Sequence, residues 1–318
     1  MASLTDLPAP AKLNVFLHVV GRREDGYHLL QSLFVLLDWH DTLHLEGRSD
    51  GLLRRHDLSA ALPEDDLCLR AARLLQAASG CRGGADISVD KVLPSGAGLG
   101  GGSSDAATVL MGLNRLWGLN WSRARLAELG LRLGADVPFF LGGGSAIVEG
   151  IGERLTPVDL RPRQYLVVKP QVGVSTQTIF RDPELTRDSV AAIVEGFLGS
   201  PSVMDALLDG CRLGNGAHAA NLGKSVGTES GFMARNDLQA VAVRHAPEIG
   251  EVVRWLQARW GHGQMTGSGS AVFARETVAN APLMATASGL SLLQAKPDPW
   301  EARWCRSLVQ HPLVGRWG

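Results

Sequence analysis

The chain has 318 residues, a length that predicts two domains or one large domain and gives enough chain for a sizeable hydrophobic core. Lysine and arginine number 31 against 32 for aspartate and glutamate, so a formal net charge of −1 argues against attraction to nucleic acid or acidic membranes by bulk charge. No apolar run reaches the ~18 residues of a membrane span, and Lys12 interrupts the apolar N-terminal stretch, unlike a signal peptide. These features predict a globular cytoplasmic protein.

Cysteine and glycine usage narrow the class further. The four cysteines are scattered without a CxxC spacing, which argues against a disulfide framework or a thiolate zinc site and fits a reducing compartment. Glycine is the outlier, with 38 of 318 residues, about 12% against a usual ~7%. The places where glycines cluster therefore carry the most information.

The N-terminal segment shows the first clear periodicity. Residues 9–21 alternate, which predicts a strand with Leu13 and Val15 on one face and Lys12 and Asn14 on the other. A polar turn follows, and the apolar content of residues 29–45 predicts a second strand.

Helical patterns come next. Pro63 and the acidic residues 64–66 predict the first turn of a helix that continues to residue 78. Residues 86–93 predict another strand. Ser122 predicts the start of a further helix, which Gly134 ends.

A glycine-rich loop follows the strand at 86–93. Its residues are Pro94, Ser95, Gly96, Ala97, Gly98, Leu99, Gly100, Gly101 and Gly102. Apolar residues at helical spacing then predict a helix that opens at Ser103 or Ser104. Backbone N–H groups of such a loop converge on an anion with the helix N-terminus behind them, and glycine lets a phosphate approach the backbone. The pattern predicts a phosphate-binding loop.

Three common phosphate loops are disfavoured. Residues 96–101 match the spacing of the dinucleotide fingerprint, but residues 115–123 lack the acidic residue that would bind the ribose. A Walker A loop needs lysine before Ser103, where this chain has Gly102. A protein kinase needs VAIK-type and HRD motifs, and neither occurs.

The second half begins a new series of elements. Residues 164–170 predict a strand, residues 237–260 a helix, and residues 264–276 a second glycine turn that enters a strand. The stretch from Gly199 to Gly231 is rich in glycine and short polar residues and predicts a long surface loop.

A boundary within residues 155–162 predicts an N-terminal domain of residues 1–158 and a C-terminal domain of residues 159–318.

Three motifs in order resemble the signatures of the GHMP kinases, small-molecule kinases named for galactose, homoserine, mevalonate and phosphomevalonate. They are the run Pro10-Ala11-Lys12-Leu13-Asn14, the glycine loop, and Thr266-Gly267-Ser268-Gly269. The resemblance implies an α+β fold of two domains, an active site in the cleft between them, and ATP with Mg²⁺.

Two further segments are similar to one branch of that family. Asp25-Gly26-Tyr27-His28 and residues 133–139 resemble kinases whose acceptor is a cytidine diphosphate-linked methylerythritol. The resemblance implies transfer of the γ-phosphoryl group of ATP to the acceptor's 2-hydroxyl, in the non-mevalonate route to isoprenoid precursors. Small-molecule substrates, no nucleic acid or membrane partner, and a monomer or weak homodimer are the corresponding expectations.

The resemblance also assigns roles to individual residues. It implies Lys12 and Asp136 as catalytic residues and residues 94–104 as the ATP-binding loop, with Ser103 as the candidate magnesium ligand. The substrate-binding candidates are Asn14, Tyr27, His28, Thr176 and Phe180.

Structural alternatives remain open for these residues. Asp136 lies where an aspartate commonly caps a helix, Lys12 could be a solvated surface charge, and Tyr27 could close a loop. At the level of function, the rivals are another GHMP activity and a catalytically silent ligand sensor. Asp66 stands where the family resemblance leads us to expect Asn, which puts in doubt an adenine contact there.

Overall fold

The computed structural model describes residues 2–191, 234–276, 296–297 and 299–317. The predicted loop from Gly199 to Gly231 lies outside these residues. The strands of the described part are β1 (Ser3–Arg22), β2 (His28–Arg48), β3 (Leu53–Asp57), β4 (Gly84–Asp90), β5 (Ala146–Gly150), β6 (Arg154–Pro157), β7 (Gln164–Lys169), β8 (Gln264–Met265), β9 (Val272–Arg275) and β10 (Glu301–Leu308). Its helices are α1 (Leu67–Ser79), α2 (Gly101–Leu116), α3 (Arg123–Leu131), α4 (Val137–Gly142), α5 (Thr176–Arg181), α6 (Gln239–His245), α7 (Pro247–Trp260) and α8 (Pro312–Trp317).

The long strand β2 connects the sheet. It pairs antiparallel with β1, β4, β5 and β10. Strand β3 joins β4 in parallel, and β10 continues the network to β7, β9 and β8. Strands from both halves of the chain therefore meet through β10, while the division at residue 158 stays a prediction.

Burial on both faces explains why β2 reads as a continuous apolar run. Phe34 and Leu36 belong to a core cluster with the helices α1 to α4, and Leu33 and Val35 belong to a second cluster with β7 and β9. A strand covered on both faces loses the alternation of a half-solvated strand. A third cluster packs α6 and α7 against the C-terminal strands.

Two predicted helix starts are wrong by a few residues. The acidic residues 64–66 precede α1, and Asp66 is its N-cap, accepting a hydrogen bond from the backbone N–H of Leu69 at 3.1 Å. Helix α2 begins at Gly101 and not at Ser103, because Gly100 (φ 73°) turns the chain in a left-handed conformation that glycine adopts without strain.

Two predicted helix ends also differ. Helix α3 starts after Ser122 as expected but ends at Leu131, before Gly134. The single helix predicted over residues 237–260 is two helices that meet at Ala246 and Pro247. Proline lacks the N–H that would continue the first helix, and it suits the first turn of the second.

No helix in the described part of the chain has the length and apolar character needed to cross a membrane.

Candidate active site

An inner cavity of about 310 Å³ lies where the three sequence motifs meet. Lys12 and Asn14 of β1 line it together with the glycine loop, and the turn at residues 267–269 closes another side. Asp136, at the start of α4, also lines this cavity. The fold thus brings into one cavity residues from Lys12 to Gly269, which are 257 positions apart in the chain.

Backbone hydrogen bonds hold the glycine loop against two neighbours. The N–H of Lys12 donates to the carbonyl oxygen of Leu99 at 2.9 Å. On the other side, the N–H groups of Ser270 and Ala271 donate to the carbonyl oxygens of Gly96 and Ala97, both at 3.1 Å. The loop is therefore fixed between β1 and the second glycine turn before any ligand binds.

Close packing explains one loop glycine in a way that the sequence argument missed. Gly98 has a φ of +73°, and a Cβ placed there would lie 2.3 Å from the carbonyl oxygen of Thr266. Gly96 has a similar φ of +63°, yet a Cβ there would meet no atom of the described part of the chain within 4 Å. Glycine at 98 is required by contact with the second glycine turn, in addition to any approach of a phosphate.

The start of α2 is suited to an anion. The helix has 16 residues, and Gly100 at its N-cap has no side chain to occupy the first N–H groups. These groups have no partner within the helix and carry its positive dipole end. Gly96, Gly98 and Gly100 line the inner cavity beside them, which fits the phosphates of a nucleotide.

Lys12 is the buried cation of the cavity. Its side chain is 4% exposed, and its Nζ lies 2.5 Å from Asn14 Oδ1 and 3.4 Å from Asp136 Oδ2. The ammonium also lies 4.5 Å from the centre of the Phe34 ring. The reading of Lys12 as a solvated surface charge is wrong.

Asp136 keeps its carboxylate available. It occupies the N-cap position of α4, but its side chain makes no capping hydrogen bond. The side chain is 32% exposed, so a ligand in the cavity can reach it. The observed geometry favours a chemical role over the capping alternative.

Asn14 is fixed by two neighbours that lie outside the N-terminal motif of residues 10–14. Its Nδ2 donates to Ser32 Oγ at 2.9 Å, and its backbone N–H donates to Thr266 Oγ1 at 2.9 Å. Ser32 lies on β2 and lines the inner cavity. Sequence reasoning missed Ser32, because only the register of β1 against β2 places it beside Asn14.

An outer cavity of about 660 Å³ adjoins the first, and Thr176 and Phe180 of α5 line both. His28 stacks on Phe180 with ring centres 5.0 Å apart and an interplanar angle of 33°. Tyr27 also lines the outer cavity and is 61% exposed. Thr176 Oγ1 lies 2.6 Å from Ser268 Oγ and so connects α5 to the second glycine turn.

The remaining loop residues lie at the margin of the site. Ser104 is fully buried, and its hydroxyl has no hydrogen-bond partner among the residues that the structure describes. Ser103 is partly exposed, and Pro94 and Ser95 precede the turn. None of these four residues lines the inner cavity.

A buried charge cluster supports the glycine loop from behind, and no local sequence pattern predicts it. Lys91 Nζ lies 2.6 Å from Asp105 Oδ2 and also contacts Asp41. Asp41 Oδ1 accepts the N–H groups of Val92 and Leu93, at 2.6 and 2.7 Å. Burial is the main cause that raises the pKa of Asp105, to about 7. The negative charge of Asp41 also raises this pKa, whereas attraction to the Lys91 ammonium opposes the shift. The cluster fixes the chain just before it enters the glycine loop.

The unexpected aspartate at 66 is already engaged. Besides capping α1, its Oδ1 lies 2.9 Å from Arg55 Nη1. That guanidinium also binds Asp57 at 2.7 Å and so joins β3 to the start of α1. The Asp66 carboxylate therefore has a structural role, because it caps α1 and pairs with Arg55.

Comparison with known proteins places these features in a family. Residues 66–144 match the family described as GHMP kinases N terminal domain. The chain is 54% identical over 314 residues to 4-diphosphocytidyl-2-C-methyl-D-erythritol kinase of Methylibium petroleiphilum, covering 99% of this chain and 98% of that one. The enzyme of the same name from Delftia acidovorans is 50% identical over 318 residues, covering 98% and 97%.

Solved structures agree with the sequence relatives. A crystal structure of 4-(cytidine 5'-diphospho)-2C-methyl-D-erythritol kinase aligns with a TM-score of 0.68 and 34% identity over 96% of this chain and 99% of that one. A homoserine kinase from Cytophaga hutchinsonii, at 17% identity and a TM-score of 0.63 over 98% and 96%, shares the fold. The chain belongs to the GHMP kinase family and, within it, to the 4-diphosphocytidyl-2-C-methyl-D-erythritol kinases.

Proposed function

We propose that the chain transfers the γ-phosphoryl group of ATP to the 2-hydroxyl of 4-diphosphocytidyl-2-C-methyl-D-erythritol, giving ADP and the 2-phosphate. The observation that carries this is the pair of Lys12 and Asp136, 3.4 Å apart in a cavity that adjoins both the glycine loop and the aromatic outer cavity. The named activity of full-length relatives at 54% and 50% identity supports the same reaction. This reaction belongs to the non-mevalonate route to isoprenoid precursors.

Asp136 acts as the general base in this proposal. The acceptor oxygen forms a bond to the γ-phosphorus as the bond from that phosphorus to the β,γ-bridging oxygen breaks, and the hydroxyl proton passes to the carboxylate. The absence of a capping hydrogen bond leaves the carboxylate oxygens able to accept it.

Lys12 supplies the positive charge beside that proton transfer. Its ammonium lies between Asp136 and Asn14, and the lysine side chain is only 4% exposed. A cation fixed there stabilises the negative charge that develops on the transferred phosphoryl group more strongly than a cation at the same distance in water would. Asn14 Oδ1 holds Lys12 in place, and the hydrogen bond from Asn14 Nδ2 to Ser32 Oγ fixes the orientation of the amide.

The glycine loop and the start of α2 bind the triphosphate through backbone N–H groups. Mg²⁺ usually retains several waters and binds one or two protein groups together with the phosphates of the substrate. Ser103, in the first turn of α2 beside the glycine loop, would supply one such group through its hydroxyl, and within the described residues no group of three or more His, Cys, Asp or Glu side chains could hold a metal alone. Bound Mg²⁺ would neutralise phosphate charge; the proton transfer is assigned to Asp136.

The outer cavity favours a nucleotide-linked acceptor over the small acceptors of other GHMP kinases. Tyr27, His28 and Phe180 provide aromatic surfaces, and stacking on such a surface is worth ~1–3 kcal/mol per base. Arg22 and Arg181 line the same cavity and complement a diphosphate. Mevalonate and homoserine have neither a base nor a diphosphate to use these groups.

An acceptor panel tests the proposal. Purified protein with MgATP is assayed for ADP release with the cytidine-linked methylerythritol, mevalonate, homoserine and galactose, and phosphorus NMR locates the new phosphate. We expect turnover with the first acceptor alone and a monophosphate on its 2-hydroxyl. Comparable turnover of another acceptor would contradict the substrate assignment, and ligand binding without any turnover would favour the sensor alternative.

A further inference from the structure

Arg187 is a charged residue of the outer cavity with no place in the reaction described above. We propose that Arg187 is a positioning residue that fixes the proton of His28 on Nδ1, so that the imidazole offers a hydrogen-bond donor to the pyrimidine and selects cytosine over uracil. This specificity role rests on the proposed function, because it assumes a cytidine-linked acceptor in the outer cavity.

The contacts of Arg187 determine its orientation. Its Nη1 donates to the carbonyl oxygens of Leu185 at 2.9 Å and Pro183 at 3.4 Å. Its Nη2 donates to those of Asp182 at 2.7 Å and Phe180 at 3.3 Å. These four contacts hold the guanidinium against the end of α5 and the segment that follows it.

The fifth donor of the guanidinium reaches the imidazole. Arg187 Nε lies 3.1 Å from His28 Nε2, although the two residues are 159 positions apart. A guanidinium has five N–H donors and no acceptor, so a hydrogen bond here requires a lone pair on Nε2. The remaining proton of a neutral imidazole must then be on Nδ1.

Charge and packing favour the same state of His28. Partial burial lowers its pKa, with Arg187 and then Arg22 as further causes, so the ring is neutral at physiological pH. Stacking on Phe180 fixes the plane of the ring. Arg187 also binds the carbonyl of Phe180, so one side chain positions two of the aromatic residues of the outer cavity, His28 and Phe180.

The Nδ1–H donor discriminates between the two pyrimidines. Cytosine has an acceptor at N3, whereas uracil has an N–H donor at that atom. Two donors facing each other leave both without a partner, and a hydrogen-bonded edge rejects a base that cannot complete the bond. A ring protonated on Nε2 would present an acceptor at Nδ1 and would reverse the preference.

The tautomer can be measured without any substrate. Long-range ¹H–¹⁵N NMR of the imidazoles at pH 8, assigned by loss of one signal in His28→Asn, distinguishes a protonated from an unprotonated ring nitrogen. We expect protonated Nδ1 and unprotonated Nε2 in the wild type and in Arg187→Lys, which keeps a donor-only group. In Arg187→Gln, whose amide can donate or accept, we expect a mixture. Arg181→Gln is the matched control, because it removes the same charge from the same cavity but should leave the tautomer unchanged.

Kinetics with cytidine-linked and uridine-linked acceptors completes the test. We expect Arg187→Gln to reduce the ratio of kcat/KM for the two acceptors at least ~10-fold, mainly through the acceptor KM, and Arg181→Gln to preserve that ratio. A wild-type His28 that is protonated on Nε2 at pH 8 overturns the inference whatever the turnover, and so does an unchanged ratio in folded Arg187→Gln. Failure of the wild type to phosphorylate the cytidine-linked acceptor instead overturns the proposed function, while the NMR result still decides the tautomer.

Discussion

Two alanine substitutions in the glycine loop separate backbone strain from close packing. Gly96 and Gly98 have φ values of +63° and +73°, so alanine at either position meets the same left-handed penalty of ~1–2 kcal/mol. Only the new Cβ at 98 meets a backbone atom, the carbonyl oxygen of Thr266 at 2.3 Å. Gly96→Ala is therefore a matched control for Gly98→Ala.

The structure sets the size of the expected effect. Ordinary contacts of a Cβ begin at 3.4 Å, so Gly98→Ala must separate the glycine loop from the second glycine turn by about 1 Å. Displacement of that size from a reactive geometry costs about 10²-fold in rate. Gly96→Ala adds strain without displacement, and its effect on kcat/KM for ATP should stay within about tenfold.

The assay measures kcat/KM for ATP by ADP release, together with the free energy of unfolding in urea. We expect a loss of about 10²-fold for Gly98→Ala and a much smaller loss for Gly96→Ala, with both variants folded. Equal activity of the two variants would contradict this prediction, because it would show that contact of the loop with Thr266 does not position the backbone N–H groups that bind the phosphates.

Two further predictions concern buried charge. Lys91→Met leaves the carboxylates of Asp41 and Asp105 buried without their cation, so we expect the free energy of unfolding to fall by about 3–5 kcal/mol. Asp105→Asn removes excess negative charge from the cluster and should cost far less. Equal losses for the two variants in urea titrations would contradict this charge balance. Burial lowers the pKa of His311 from 6.5 to about 4, so its stabilising contribution is complete above pH 6.5 and is lost as pH falls towards 4. The melting temperature of the wild type should therefore drop more over this pH range than that of His311→Asn. The asparagine side chain can still accept the N–H of Leu313, so the variant keeps that hydrogen bond. Equal drops in the two melting temperatures would contradict His311 as the source of the pH dependence.

Local patterns in the sequence predicted strands β1, β2 and β4 and the order of the three motifs, but not the short strands β3, β5 and β6. Alternation over residues 9–21 placed Lys12 and Asn14 on one side of β1, and both line the inner cavity. Where the prediction was wrong, a single residue determined the backbone. Gly100 starts α2 earlier than expected, and Pro247 divides the predicted helix.

Contacts between distant segments could not be predicted in this way. Lys91 lies 50 positions from Asp41, and Arg187 lies 159 positions from His28. No periodicity or short motif relates residues at such separations, because the sheet register and the packing of α5 bring them together. Gly98 is an intermediate case, since the motif identified the residue while only the fold shows its contact with Thr266.

If Asp136 accepts the proton of the acceptor hydroxyl beside the Lys12 ammonium, loss of its carboxylate must slow the chemical step, and turnover of Asp136→Asn measures this. Asparagine keeps the size of the side chain and an oxygen that can face Lys12 at 3.4 Å, but it cannot accept that proton. At saturating ATP and acceptor, with circular dichroism matching the wild type, we expect kcat to fall by about 10²- to 10⁴-fold while both KM values change far less. A folded Asp136→Asn with a kcat near that of the wild type would contradict the general-base role.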